Sequence, residues 1–307
     1  MDSELLSERL AGRPFEDVQA TFCAVIVDEW VRQGIRHAII APGSRSTPLA
    51  LALTNRSEIR IEVFHDERSA AFAALGVGLA TGQPAILLCT SGTAAAHFHA
   101  AVIESSLSHV PMLVVTADRP PELKDVGAPQ TIDQTKLYGD AVRWFHDPGV
   151  ADIVASGSWR SLARQSYAST VGVNPGSVHL NLPFREPLTG KAIDLLSERL
   201  PRTQILGSIG LSDSELQRAV ALFESQKGVI IAGRGCGDAS AISDLAESLG
   251  WPVLADSRSG CQGIPESVVH FDSLIRCQAF IEHQVPEVVL RIGESPSSKV
   301  LSQYVTK

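Results

Sequence analysis

The sequence predicts an α/β protein, in which a mainly parallel sheet with helices on both faces is followed by a second, smaller α/β unit. Short β-branched runs alternate along the chain with longer helix-like segments, which is the pattern of parallel strands joined by helices. The 307 residues are enough for about two domains. A hydrophobic content of 44% supplies ample material for their cores.

Five strands and five helices are predicted in the first part of the chain. Apolar, β-branched runs predict strands at 37–41, 59–64, 85–90, 112–117 and 177–182. Longer segments between and after them predict helices at 16–33, 47–55, 67–81, 92–107 and 151–171. Because strands and helices alternate, we expect the strands to run parallel in one sheet.

The same alternation returns after a stretch of different composition. Residues 186–212 carry charge, proline and glycine without clear periodicity, and we place the domain boundary there. The predicted domains are 1–190 and 213–307, joined by a linker at 191–212. The second series predicts helices at 212–225, 238–250 and 297–305 and strands at 228–233, 251–256 and 287–293.

Charge, hydropathy and cysteine usage narrow the class of protein. A net charge of −8 argues against nucleic acid as the main partner but leaves room for local basic sites that bind small anions. No apolar run reaches the ~18–20 residues that a membrane span needs, and the acidic, polar N-terminus is unlike a secretory signal. The five cysteines are scattered and contain no CxxC pair, so we predict no zinc site or disulfide framework and expect a cytoplasmic location.

Three motifs follow predicted strands, where open parallel sheets collect their ligands. APGSRSTPL (41–49) makes a turn that contains Arg45, and Ser46 is expected to cap the next helix. TSGTAAAHF (90–98) has small residues that would let a flat ring approach the backbone, and TADRPPEL (116–123) presents Arg119 before two stiffening prolines. Backbone N–H groups and two guanidinium groups would suit carboxylates or phosphates. Taken singly, the first motif also fits a well-capped turn and the second a tight packing turn. A long loop with fixed side chains, such as the one that contains Arg119, more often serves binding than mere connection.

The stretch FHDERSAAFAALGVGLATG (64–82) carries two acids at the start of an almost wholly apolar helix. Asp66 is a good helix cap, which accounts for one acid. A helix that is hydrophobic all round belongs in a protein interior, so the carboxylate of Glu67 needs a separate explanation.

A possible dinucleotide-binding motif lies in GVIIAGRGCGDA (228–239). Gly233 and Gly235 match the first two glycines of the dinucleotide fingerprint, but Asp238 occupies the position of the third. This imperfect match disfavours binding of a nicotinamide or flavin cofactor.

The chain resembles one family, the thiamine-diphosphate-dependent 2-succinyl-5-enolpyruvyl-6-hydroxy-3-cyclohexene-1-carboxylate synthases of menaquinone biosynthesis. The resemblance is carried by PGSRSTPL, FHDERSAAFAALGVGLA, TSGTAAAHFHAAVIE, TADRPPELKDVGAPQTIDQ and HLNLPFREPL, and VVLRIGESPSSKVLSQYV is similar to the family's middle domain. It implies that residues 1–190 form a pyrimidine-binding domain and that 213–307 form an incomplete, Rossmann-like middle domain. PGSRSTPL and DRPPEL fit this family better than a related one such as the acetohydroxyacid synthases.

The resemblance gives Glu67 a catalytic role. In the wider family a glutamate at this position hydrogen-bonds N1′ of the cofactor's aminopyrimidine and thereby promotes removal of the C2 proton. An apolar helix and a neighbouring ring favour the protonated carboxyl, whereas the helix N-terminus favours the carboxylate. We expect desolvation to dominate once cofactor is bound. Thr90, Ser91 and Gly92 are the other implied cofactor-binding residues.

The resemblance also implies a set of substrate-binding residues. Ser44, Arg45, Arg119 and Gln130 match positions of the family's active site, and Lys299 would reach it from the middle domain. The sequence departs from some relatives at Pro129, where they carry an asparagine, so one polar substrate contact is expected to be lost there.

The implied reaction is decarboxylation of 2-oxoglutarate and addition of the succinyl carbanion equivalent to isochorismate. The implied cofactors are thiamine diphosphate and Mg²⁺ or Mn²⁺, and we expect the metal ligands in a C-terminal diphosphate-binding domain whose GDG motif is absent here. No metal ligand is therefore assigned within the chain. Homo-oligomers are expected for the full-length enzyme, because one subunit's pyrimidine domain faces another's diphosphate domain in this family.

Three interpretations of the missing motif remain open at the level of sequence. The chain is a portion of a longer synthase, a half-enzyme completed by a separate diphosphate-binding subunit, or a non-catalytic remnant that binds a dicarboxylate or a partner. In the first two interpretations the chain alone is expected to be inactive.

Overall fold

The computed structural model describes residues 2–195, 207, 209–223 and 227–306. The chain forms two compact units, Met1–Ile209 and Gly210–Lys307. The predicted domain bounds stay predictions, because much of the proposed linker at 191–212 lies outside the described residues. Within the described ranges, no helix is long and apolar enough to cross a membrane.

The first unit is built on a six-stranded, wholly parallel sheet with the strand order β2-β1-β3-β4-β6-β5. Its strands are β1 His37–Ile40, β2 Arg60–Val63, β3 Ile86–Cys89, β4 Met112–Asp118, β5 Trp144–His146 and β6 Ser177–Pro183. The five predicted strands and the parallel sheet are confirmed. Strand β5 was not predicted, because three residues at a sheet edge give too short a pattern to recognise.

Side chains on both faces of this sheet are buried, as expected when helices cover both sides. The longest contact joins β4 to β6, with register from Met112 opposite Ser177 to Asp118 opposite Pro183. Alternate residues of β4 enter different cores: Leu113 and Val115 pack into one cluster, and Met112 and Val114 pack into the other. The first cluster includes side chains of the helices Phe15–Gln33, Thr47–Thr54 and Trp159–Val171, and the second includes those of the helices Glu67–Thr81 and His99–Leu107.

Seven α-helices lie in the described part of the first unit: α1 Asp2–Leu10, α2 Phe15–Gln33, α3 Thr47–Thr54, α4 Glu67–Thr81, α5 Thr93–Ala96, α6 His99–Leu107 and α7 Trp159–Val171. The prediction of a single helix over 92–107 is wrong. The Tyr138 hydroxyl donates a hydrogen bond to the Ala95 carbonyl at 2.7 Å. The amides of His97 and Phe98 bond three residues back, which interrupts the α-helix between α5 and α6.

The second unit contains a three-stranded parallel sheet with the order β8-β7-β9. Its elements are α8 Asp213–Phe223, β7 Gly228–Ala232, α9 Ala239–Leu249, β8 Val253–Ala255, α10 Phe271–Leu274, α11 Gln278–His283, β9 Val288–Ile292 and α12 Lys299–Tyr304. Each face of this sheet has its own apolar cluster. The predicted α/β class is therefore confirmed for both units.

The glycines that resemble a dinucleotide fingerprint have structural roles in this unit. Asp238 is the N-cap of α9 and accepts a hydrogen bond from the amide of Ser240. A Cβ added at Gly233 would lie 1.9 Å from the carbonyl oxygen of Glu294, so that glycine is required by close backbone packing.

Candidate functional site

The carboxyl ends of the six parallel strands place several predicted site residues at one edge of the first unit. The turn that contains Ser44 and Arg45 follows β1, and Glu67 follows β2. Thr90, Ser91 and Gly92 follow β3, whereas Arg119 and Gln130 belong to the long segment after β4.

The turn after β1 and the loop after β3 are in direct contact. A Cβ added at Gly43 would lie 2.4 Å from Cβ of Thr90, so a larger residue cannot be accommodated without moving one loop. The expected role of Ser46 as a helix cap is wrong, since its hydroxyl donates to the Gly43 carbonyl at 2.8 Å instead. Ser46 therefore tightens the turn that presents Arg45.

The loop after β3 is also bound to the segment after β4. The Ser91 hydroxyl donates to the Gln130 carbonyl, and the Gln130 amide donates to the Ser91 carbonyl, each at 3.1 Å. Gly92 has a φ of 86°, and a Cβ there would lie 2.9 Å from Cγ of Gln130. Glycine is needed at this position both for its left-handed backbone and for this close approach.

Gln134, which was not predicted as a site residue, is hydrogen-bonded to the same loop. Its Oε1 accepts a hydrogen bond from the Gly92 amide at 2.9 Å, and its Nε2 donates to Ala117 O and to Asn181 Oδ1. Gln134 and Asn181 are fully buried. No feature of the sequence distinguishes Gln134 from Gln130, because both lie in the same polar segment.

Arg45 and Arg119 converge on one carboxylate, that of Glu186 after β6. Arg45 Nη2 lies 2.8 Å from Glu186 Oε1, and Arg119 Nη1 lies 4.0 Å from the same oxygen. The Arg45 side chain is only 4% exposed and also donates to the Phe184 carbonyl. Arg119 donates to the carbonyl of Pro129, so the residue that replaces the relatives' asparagine still contacts the site through its backbone. Glu186 was not predicted as a site residue.

Three buried polar atoms at this edge have no hydrogen-bond partner among the described residues: Arg45 Nε, Arg119 Nε and Thr90 Oγ1. Leaving a buried donor unpaired costs about 1–3 kcal/mol. Unpaired donors on two guanidinium groups that face the same carboxylate indicate a place where a further acceptor, such as a ligand carboxylate, would be stabilised.

The two acids at the start of α4 have different roles. Asp66 is the helix cap, accepting from the Arg68 amide at 2.9 Å, and the adjoining Arg68 guanidinium lowers its pKa to about 2. Glu67 is partly buried, and within the described part of the chain its carboxylate makes no hydrogen bond or ion pair. Burial raises the pKa of the Cys89 thiol, and the charge of Glu67 raises it further. The Glu67 carboxylate thus lies close to the end of β3.

The two remaining predicted site residues are Ser44 and Lys299. Ser44 is exposed in the turn after β1, next to Arg45. Lys299 is the first residue of α12 in the second unit, and its participation in the site stays a prediction. No group of three or more metal-ligating side chains that could hold an ion occurs in the part of the chain that the structure describes.

The sequences of both units match known families of enzyme domains. Residues 20–137 match the family described as "Thiamine pyrophosphate enzyme, N-terminal TPP binding domain". Residues 206–307 match the family described as "Middle domain of thiamine pyrophosphate". Thiamine pyrophosphate, which is another name for thiamine diphosphate, is thus the cofactor of this class.

Similar curated proteins identify the family within that class. The chain is 40% identical to the 2-succinyl-5-enolpyruvyl-6-hydroxy-3-cyclohexene-1-carboxylate synthase of Chloroflexus aurantiacus over 297 residues, which cover 92% of this chain and 50% of that protein. It is 42% identical to the synthase of Thermobifida fusca over 289 residues, covering 92% and 52%. The chain belongs to this synthase family and spans about half the length of the curated relatives it matches. The resemblance inferred from the sequence motifs is confirmed.

Proposed function

We propose that this chain provides the pyrimidine-binding side of an active site that transfers a succinyl unit from 2-oxoglutarate to isochorismate with loss of CO₂. The single observation that carries the proposal is the Glu67 carboxylate, which is partly buried at the start of α4, after β2, without a hydrogen bond or ion pair in the described residues. The family assignment supports it, because the synthases named above match this chain over most of its length.

Glu67 is proposed as the group that hydrogen-bonds the aminopyrimidine of thiamine diphosphate. The buried Thr90 hydroxyl, which has no hydrogen-bond partner among the described residues, supports this placement because a bound ligand would satisfy it. When bound, the cofactor supplies a nucleophilic C2 carbon for attack on a 2-oxo acid. Glu67 would hold a proton at N1′, and the apolar body of α4 would exclude water from that hydrogen bond.

Arg45 and Arg119 are proposed to bind the substrates' carboxylates. Both 2-oxoglutarate and isochorismate are dicarboxylates, and guanidinium groups pair strongly with carboxylates. Ser44 and Gln130 lie on the same loops and would add neutral hydrogen bonds. Lys299 would contribute a further positive charge from the second unit.

The role of Glu67 predicts the behaviour of Glu67→Gln. The chain and the variant are each combined with a fragment of the Thermobifida fusca relative that covers the part this chain does not span, together with cofactor and Mg²⁺. We expect hydrogen–deuterium exchange at cofactor C2, followed by NMR, to slow by about 10²–10⁴-fold in the variant, because proton transfer loses its partner.

Glu62→Gln is the matched control, since the Glu62 side chain is partly exposed and pairs with the exposed Arg60. It should leave C2 exchange unchanged. Unchanged exchange in Glu67→Gln would overturn the proposed role. Succinyl transfer by the chain without the added fragment would overturn the proposal that this chain provides only one side of the active site.

The proposal extends to the metal and the assembly. We place the ligands for Mg²⁺ or Mn²⁺ in the part of the full-length enzyme that this chain does not span, and no step is drawn through the metal. Homo-oligomerisation is supported by exposed apolar side chains on neighbouring helices of the first unit, Phe72 and Leu79 on α4 and Ile103 and Leu107 on α6. The scattered cysteines support a cytoplasmic location.

A further inference from the structure

Glu186 occupies the position between the two arginines that a substrate carboxylate would need. Its Oε1 is 2.8 Å from Arg45 Nη2 and 4.0 Å from Arg119 Nη1. Among the described residues, Glu186 is the only carboxylate that pairs with either arginine. The chain therefore places its own acid against the two cations of the proposed substrate site.

One carboxylate does not satisfy this pair of guanidinium groups. Two positive charges face a single negative charge, so the cluster keeps a net positive charge. The Nε atoms of Arg45 and Arg119 are buried without partners in the described part of the chain. Both observations favour an additional or stronger acceptor than Glu186.

The Glu186 side chain is held far less firmly than its surroundings. It is 71% exposed, whereas that of Arg45 is 4% exposed and is fixed independently by the Phe184 carbonyl. The buried Gln19 side chain binds the backbone on both sides of Glu186, at Arg185 and at Pro187. The carboxylate can thus rotate into solvent while the backbone and Arg45 stay in place.

We propose that Glu186 is an exchangeable counter-ion, which partly neutralises Arg45 and Arg119 when no substrate is bound and is displaced by a carboxylate of the incoming dicarboxylic acid. It stabilises a buried cation before substrate binds, and it weakens the binding of anions that cannot compete with it. This inference rests on the proposed function, because it assumes that the two arginines bind substrate.

The test compares anion binding in the chain itself and in Glu186→Gln. Binding of 2-oxoglutarate is measured by isothermal titration calorimetry at low ionic strength, without thiamine diphosphate. If Glu186 competes with the ligand, the variant should bind about three- to tenfold more tightly, as expected for removal of one partly exposed competing charge.

Glu122→Gln is the matched control, because Glu122 is an exposed acid that pairs with the neighbouring Arg185 and not with Arg45 or Arg119. It removes the same charge nearby, so equal tightening in both variants would reveal a general charge effect and overturn the inference. Weaker binding in Glu186→Gln would also overturn it, because Glu186 would then be aligning the arginines instead of competing with the ligand.

Arg45→Met separates this inference from the proposed function. If 2-oxoglutarate binding is lost in Arg45→Met but is no tighter in Glu186→Gln, the proposed substrate site stands. Only the counter-ion role of Glu186 is then overturned. If neither the unchanged chain nor Glu186→Gln binds 2-oxoglutarate in a way that depends on Arg45, two statements are overturned. These are the inference itself and the assignment of the two arginines to substrate.

Discussion

His179 lies in the middle of β6 with no exposed surface, against the rings of Tyr138 and Phe145 at centroid distances of 4.7 and 5.1 Å. The Thr116 hydroxyl donates to Asn181, so His179 Nε2 carries the proton and donates to Thr116 at 2.7 Å. Its Nδ1 has no partner among the described residues. Burial lowers the pKa of His179 to about 3, because a second ring proton would be an unpaired buried charge.

This residue predicts a loss of stability in mild acid. The folded pKa of about 3 lies below the usual value of 6.5, so the unfolded chain takes up a proton that the folded chain refuses. The stability is present in full above pH 6.5 and falls toward pH 3, by about 1.4 kcal/mol per pH unit at most. Urea denaturation should show that the unfolding free energy rises with pH between pH 4 and 6. In His179→Gln this slope should be smaller, by the amount that corresponds to about one bound proton.

The other histidines are shared by both proteins in this comparison, so the difference in slope isolates His179. An identical slope in wild type and variant would contradict the buried neutral ring. None of this was predicted from the sequence, since VHLNL predicts a strand but not which of its side chains enter a polar network inside the core.

At the scale of elements, strands were predicted better than helix continuity. The runs that formed β1, β3 and β4 are rich in apolar residues, and burial on both faces leaves them without a competing polar pattern. The break between α5 and α6 depends on Tyr138, which lies about 40 residues further along the chain and takes the Ala95 carbonyl. A pattern of neighbouring residues cannot predict a contact between residues so far apart in the chain.

The hydrogen bond from the Gly92 amide to Gln134 joins the loop after β3 to the segment after β4, and it gives a prediction at this scale. In Gln134→Leu, the Gly92 amide and Asn181 Oδ1 each lose a buried hydrogen-bond partner. We expect the unfolding free energy to fall by about 1–3 kcal/mol and the Gly92 amide to exchange its hydrogen faster, as measured by NMR in deuterated buffer.

Gln165→Leu on α7 is the matched control, because Gln165 is exposed and, within the described ranges, donates only to Ser169. Its unfolding free energy should change by no more than about 0.5 kcal/mol. If Gly92 exchange is as slow in Gln134→Leu as in wild type, Gln134 does not hold this loop.

At the scale of the whole molecule, each unit has its own sheet and its own buried clusters. Fragments 1–209 and 210–307 are therefore each expected to unfold cooperatively on heating, monitored by circular dichroism. A fragment ending at residue 150 lacks β6, which pairs with both β4 and β5, and is expected to show no cooperative transition. The prediction fails if 210–307 unfolds only gradually.

The sequence by itself determined the α/β class, the order of its elements, the family, and the positions of Glu67, Arg45 and Arg119 after strands. It could do so because hydrophobic periodicity and short motifs are local properties of a chain. Only the tertiary structure brought Glu186 to Arg45 across 141 residues and Gln134 to Gly92 across 42. Those contacts depend on strand order and on which loops meet at the carboxyl edge of the sheet. The alternation of strands and helices determines neither of these.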